Sequence, residues 1–148
     1  MALSTGAAAG TGCRATEMPP TPGPSSHIAP YLQQLTDAGP DAFLVIEVAP
    51  PDMFLQVKWT AEGFELDHPL ITAGQIRREA RFRELCNSGG YPLREVAADA
   101  GGQFLDCYLP RDIPSASAAI RDMLQDLFAV SDSTGLIYSG VGLEPVAL

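Results

Sequence analysis

The chain is poor in the residues that most often carry chemistry. Three cysteines (Cys13, Cys86 and Cys107) and two histidines (His27 and His68) are spread over 148 residues. The cysteines are odd in number, far apart and without C-x-x-C spacing, so neither a disulfide framework nor a zinc site is expected. No H-x-x-x-H or D-x-D-x-D-G pattern supplies metal-ligand spacing. Gly89-Gly90 and Gly101-Gly102 lack the setting of a phosphate loop and read as turn glycines. His68 lies beside Asp67, but neighbours on a strand point to opposite sides. No serine or cysteine nucleophile accompanies the pair. The expectation is a protein that is not an enzyme and uses no cofactor and no metal.

Positive charge is the second shortage. Nine basic residues face eighteen acidic ones, a net charge of −9. Such a field repels phosphate backbones and anionic lipid, which excludes nucleic acid and membrane surfaces as expected partners and favours a cationic or polar one. Arg77, Arg78, Arg81 and Arg83 form a local exception. Glu79 and Glu84 interleave with them, so a solvated, self-paired helix face is expected there. Long apolar runs are also missing: nothing approaches the roughly 18 residues of a membrane span. The first residues, MALSTGAAAGTGCRATEMPP, have neither the basic start nor the apolar core of a signal peptide. With free thiols, this points to the cytoplasm. Cys86 and Cys107, among apolar neighbours, read as small core residues. His27 reads as solvated.

What the chain does have is concentrated between Phe43 and Leu66, FLVIEVAPPDMFLQVKWTAEGFEL, its densest run of β-forming residues. Ala49-Pro50-Pro51-Asp52 and Ala61-Glu62-Gly63 interrupt it, which predicts three strands joined by tight turns: Phe43 to Val48, Met53 to Trp59, and about Gly63 to Leu66. In the second, Met53, Leu55, Val57 and Trp59 share one face. In the third, Phe64 and Leu66 oppose Glu65 and Asp67. His68-Pro69 is expected to end the sheet run. A meander with one mostly polar face needs a helix or a partner against its apolar face.

Before it, Ile28, Tyr31, Leu32 and Leu35 mark a short helix, about Pro30 to Ala38, stopped by Gly39-Pro40. After it, Thr72 and Gln75 form a T-x-x-Q capping box. They open a helix whose apolar face is Ile76, Ala80, Phe82, Leu85 and Cys86, terminated by Asn87-Ser88-Gly89-Gly90. Strands at about Leu93 to Ala98 and Gln103 to Leu109 follow as a hairpin. A last helix opens at Ile113-Pro114-Ser115 and carries the stripe Ala116, Ala119, Ile120, Met123, Leu124, Leu127 and Phe128.

The predicted fold is α+β: a mainly antiparallel sheet of about five strands with helices on one face, in the order α-β-β-β-α-β-β-α. Residues 26–130 make the single domain. Residues 1–25, rich in Ala, Gly, Thr, Pro and Ser, are expected to be a disordered leader. Residues 131–148 form a C-terminal tail whose Leu136-Ile137-Tyr138 patch is either an extra strand or an unstructured end. Phe54, Trp59, Tyr91 and Tyr108 are the candidate anchors for a peptide bound by strand addition and apolar pockets. The ordinary alternative for each is a core or rim position.

The element order, with the phrases MFLQVKW, GFELD, REARFRELCNSGGYPL and AIRDMLQDLFAV, resembles the type III secretion chaperones and the YbjN-like proteins, peptide-binding chaperones together called TY-Chap. Phe54, Leu55, Gln56, Glu65, Gly90, Tyr91, Leu124, Phe128 and Val130 match best, within about residues 28–130. Pro92 follows Tyr91 directly, where the family's proline comes later, and the first helix is short and bears a proline. The resemblance implies a small cytosolic protein, α+β in fold, that binds a protein or peptide client as a chaperone or adaptor without ATP. A homodimer is compatible with it. The rival expectation is an acidic immunity or antitoxin protein that inhibits one basic toxin by charge complementarity.

Overall fold

A computed structural model of the chain describes residues 16–48, 53–95, 104–131 and 133–147. Among these residues, seven strands form one antiparallel sheet: β1 (Glu17–Gly23), β2 (Phe43–Val48), β3 (Met53–Thr60), β4 (Gly63–Pro69), β5 (Leu93–Glu95), β6 (Phe104–Leu109) and β7 (Leu136–Val141). Their order across the sheet is β1-β7-β2-β3-β4-β6-β5. Four helices accompany them: α1 (Ile28–Ala38), α2 (Ala73–Arg77), α3 (Glu79–Gly89) and α4 (Ile113–Phe128). The α+β class and the antiparallel sheet agree with the sequence reading, but the strand count does not. Both extra strands come from stretches assigned to leader and tail.

Glu17–Gly23 pairs with β7, and β7 in turn pairs with β2. Composition is a poor guide to β1 because its strand character comes from the partner. Pro19, Pro20 and Pro22 have no N–H to give, and the register shifts between Met18 and Thr21 to accommodate them. The Tyr138 hydroxyl donates to the Pro24 carbonyl at 2.6 Å and ties β7 to the turn that leads into α1. His27 precedes α1 and is half-buried rather than solvated, its ring 6.4 Å from that of Tyr138. Residues 1–15 lie outside the described residues, and Cys13 with them.

Local chemistry sets the remaining elements. Pro30 falls in the first turn of α1, where a missing N–H is harmless. The Thr72 hydroxyl accepts from the Gln75 backbone N–H while the Gln75 side chain accepts from the Thr72 N–H, completing the capping box of α2. That helix and α3 were expected to be one, but the chain breaks at Arg78. The break turns Ile76 and Ala80 outward, so Phe82 and Cys86 alone of the five apolar residues are fully buried. Gly90, at φ 73°, closes α3 in the left-handed conformation. Asp112 caps α4 by accepting from the Ser115 N–H at 2.9 Å. Every residue of the apolar stripe expected for α4 is buried.

Strand β4 runs three residues beyond its expected end, since His68 and Pro69 pair with Leu105 and Phe104. The described part of the first hairpin strand is Leu93–Glu95, and residues 96–103 lie outside the described residues. Leu44, Ile46, Leu55, Val57, Phe64, Leu66, Leu105 and Cys107 point to one face and join the helices' apolar residues in a single core. The other face carries no helix among the described residues.

Candidate functional site

The helix-free face follows from alternation along the strands. With Phe64, Leu66 and His68 turned to the core, Glu65 and Asp67 of β4 must point the other way. Pairing then lays a row across the sheet: Val45 of β2, Gln56 of β3, Asp67 of β4, Asp106 of β6 and Arg94 of β5 stand directly opposite one another in turn. A second row sets Lys58, Glu65 and Tyr108 side by side. Two aspartates therefore face each other across a strand pair, an arrangement that repulsion disfavours.

Glu65, Asp67 and Asp106 are 6%, 3% and 3% exposed. One ligand-type oxygen from each can be chosen so that all three lie within 4.8 Å of one another. The Arg94 guanidinium donates to Glu65 at 3.1 Å and to Asp106 Oδ2 at 3.4 Å, and it lies 5.5 Å from the Tyr108 ring centre. The Gln56 amide donates to Asp67 Oδ2 at 3.2 Å. The Oδ1 atoms of Asp67 and Asp106 are buried without a hydrogen-bond partner. Burial, then hydrogen bonding and repulsion from Asp106 and Glu65, pushes the Asp67 carboxyl up to about 10.

The sequence names Glu65 and Asp67 as sharing a polar face. It carries a further signal in Asp106, an acid inside the apolar strand FLDCYL. What it lacks is the knowledge that β4 and β6 are neighbours.

On the opposite face His68 is buried, its Nε2–H donating to the Gln75 carbonyl at 3.0 Å and its ring stacked on Phe82 at 5.1 Å. Burial holds it below the ordinary histidine value. It and Asp67 diverge to opposite sides of the sheet, as alternation requires. Cys86 and Cys107 are both free and buried. The Cys107 thiol is pushed up by a hydrogen bond with Cys86 and by burial, the reverse of what a reactive thiolate needs.

Three of the four arginines along α2 and α3 are engaged locally. Arg83 pairs with Glu79, Arg81 with Glu84 and Asp126, and Arg78 donates to the Gly74 carbonyl and lies over the Phe128 ring.

The four candidate anchors do not form one patch. Phe54 and Tyr108 are half-buried on the helix-free face, where Phe54 stands opposite Glu47 and Tyr108 opposite Glu65. Trp59 lies on the helix side, packed 4.8 Å from Phe64 and 4.9 Å from the Arg111 guanidinium. Tyr91 lines a groove of about 280 Å³ between α3 and α4, with Leu85, Ala119 and Met123 as its apolar floor and Asp122 and Asp126 on its rim.

These features define an α+β protein with an open seven-stranded antiparallel sheet, one face under helices and the other bearing a buried carboxylate cluster. No helix among the described residues is long and apolar enough to cross a membrane. No protein-family model matches the chain, and no curated protein or solved structure matches it.

Proposed function

We propose that the protein binds an extended segment of another polypeptide by strand addition, as a chaperone or adaptor, and performs no chemistry of its own. The observation that carries this reading is the asymmetry of the two sheet edges. One edge is β1, whose Pro19, Pro20 and Pro22 withhold ladder donors and blunt it against pairing. The other is β5, three residues without a proline, and no described strand covers its outer side. An edge without a proline keeps its ladder donors and can serve as a template for a partner strand. The groove between α3 and α4 opens at Tyr91, two residues before β5, so side chains of an added strand have an apolar pocket within reach. Asp122 and Asp126 on its rim favour a segment bearing Lys or Arg. Of the four anchors expected from sequence, Tyr91 is the one this reading uses.

The test is fluorescence anisotropy of the full chain with a library of extended peptides that alternate apolar and basic residues. Backbone N-methylation of a bound peptide at the residues facing the edge removes ladder donors and should abolish binding. Tyr91→Ala should weaken it about tenfold, as expected for an aromatic anchor in a pocket. Affinity indifferent to both changes would exclude strand addition at β5. A single basic folded protein bound tightly and released by salt, with no peptide binding, would favour the inhibitor reading.

A further inference from the structure

The carboxylate cluster on the helix-free face holds more negative charge than its neighbours neutralise. Glu65, Asp67 and Asp106 bring three carboxylates into one buried site. Among the described residues Arg94 is the single cation bonded to them, and its side chain is 55% exposed. Lys58 stands opposite Glu65 on β3 but makes no ion pair with it among the described residues. Buried charges are ordinarily paired or coordinate a metal. Two buried oxygens of the cluster, Asp67 Oδ1 and Asp106 Oδ1, have no hydrogen-bond partner, and they belong to the two residues that stand directly opposite each other. Unpartnered buried polar atoms call for an explanation, and an ion is among the first.

We propose that Glu65, Asp67 and Asp106 bind a divalent cation of the hard, oxygen-seeking class, with calcium as the best fit. The donor chemistry is all carboxylate, with no thiolate and no imidazole on this face among the described residues, which selects calcium, magnesium or manganese over zinc or copper. Donors within 4.8 Å of one another are close enough for one ion to reach all three, and an all-protein carboxylate cage suits calcium, since magnesium keeps several of its waters. The Gln56 amide, already hydrogen-bonded to Asp67, can supply a fourth oxygen by a flip of its side chain. With Arg94 in place, a divalent ion that displaces the Asp67 proton to solvent brings the cluster to neutrality. The strands that carry the ligands, β4 and β6, are each paired on both sides, so the site is held by sheet backbone rather than by a loop. This inference is independent of peptide binding, since the cluster and the groove lie on opposite faces.

The experiment is calorimetric titration of the full chain, stripped with chelator, with calcium, magnesium and manganese chlorides in turn. Saturable one-to-one binding, tighter for calcium than for magnesium, with an upward shift in melting temperature, is the expected result. Asp67→Asn and Asp106→Asn should each weaken calcium binding by at least about tenfold, since affinity follows the count of charged ligands. Glu144→Gln, at an exposed acid elsewhere, should leave it unchanged. In NMR spectra of the wild-type protein, substoichiometric manganese should broaden first the amides of Gln56, Glu65, Asp67 and Asp106. This measurement needs no variant to fold. No saturable binding at millimolar calcium, binding that Asp106→Asn leaves intact, or broadening confined to exposed acids would overturn the proposal.

Discussion

Replacing Asp67 with asparagine tests whether repulsion and burial in the cluster govern the protein's stability. The substitution keeps the shape and removes the charge, and the new amide can still accept from Gln56 while donating to Asp106. Asp67 is raised from 3.8 to about 10, first by burial and then by hydrogen bonding and repulsion from Asp106 and Glu65. Between those values the folded protein keeps a proton that the unfolded chain releases. The Asp67 contribution is therefore complete below about pH 4 and is lost as pH climbs toward 10. One proton retained over one pH unit corresponds to about 1.4 kcal/mol, so from pH 5 to pH 7 the wild type should lose about 2–3 kcal/mol through this residue. His68, held below its ordinary value, acts in the opposite sense: its contribution is lost as pH falls below about 6.5. It is present in both proteins, so the difference between them isolates Asp67. Urea unfolding of both proteins at several pH values between 5 and 8, in the presence of chelator, measures it. The expected outcome is an asparagine variant that gains on the wild type with each pH unit and is the more stable of the two at pH 8. Parallel pH profiles, or a variant less stable throughout, would refute the reasoning.

Two further substitutions probe how the sheet's outer strands are held. Tyr138→Phe removes the hydroxyl that donates to the Pro24 carbonyl while leaving the ring contact with Tyr31 at 4.7 Å, and it should lower stability by about 1 kcal/mol, read as a shift in the urea midpoint. An unchanged midpoint would mean that this bond contributes nothing to holding β7 against the turn before α1. Gly140→Ala should be far worse, at about 3 kcal/mol or more, because an added Cβ would run into the Phe43 carbonyl at a backbone φ of 154° that other residues rarely adopt. Circular dichroism melts of the two proteins compare them directly, and a neutral alanine would show that β7 and β2 can separate without loss.

Much of the fold was readable one segment at a time because its causes are local. The three strands between Phe43 and Pro69 announce themselves by β-forming residues between turn signals. The Thr72–Gln75 box and the α4 stripe are set by hydrogen bonds and periodicity within a few residues of one another. Alternation also put Glu65 and Asp67 on a polar face apart from His68. Where tertiary contacts intervened, the local signals misled. A helix expected to be continuous broke at Arg78 and sent Ile76 outward, 52% exposed. The four aromatic candidates were scattered over two faces because nothing in their spacing says which strands lie side by side.

The sequence by itself determined the class of the fold, most of its elements, and the face of the strand on which the acids lie. Tertiary structure alone decided that Glu17–Gly23 would become a strand, since a proline-rich segment takes that form only when β7 lies beside it. It also decided that Asp67 would face Asp106. Two helices and β5 separate these residues along the chain, and only the pairing of β4 with β6 brings them together. Each acid is unremarkable on its own strand, and together they make a buried cluster whose charge has to be balanced. Pairing between distant strands is a property of the whole sheet, so no stretch of the chain encodes it alone.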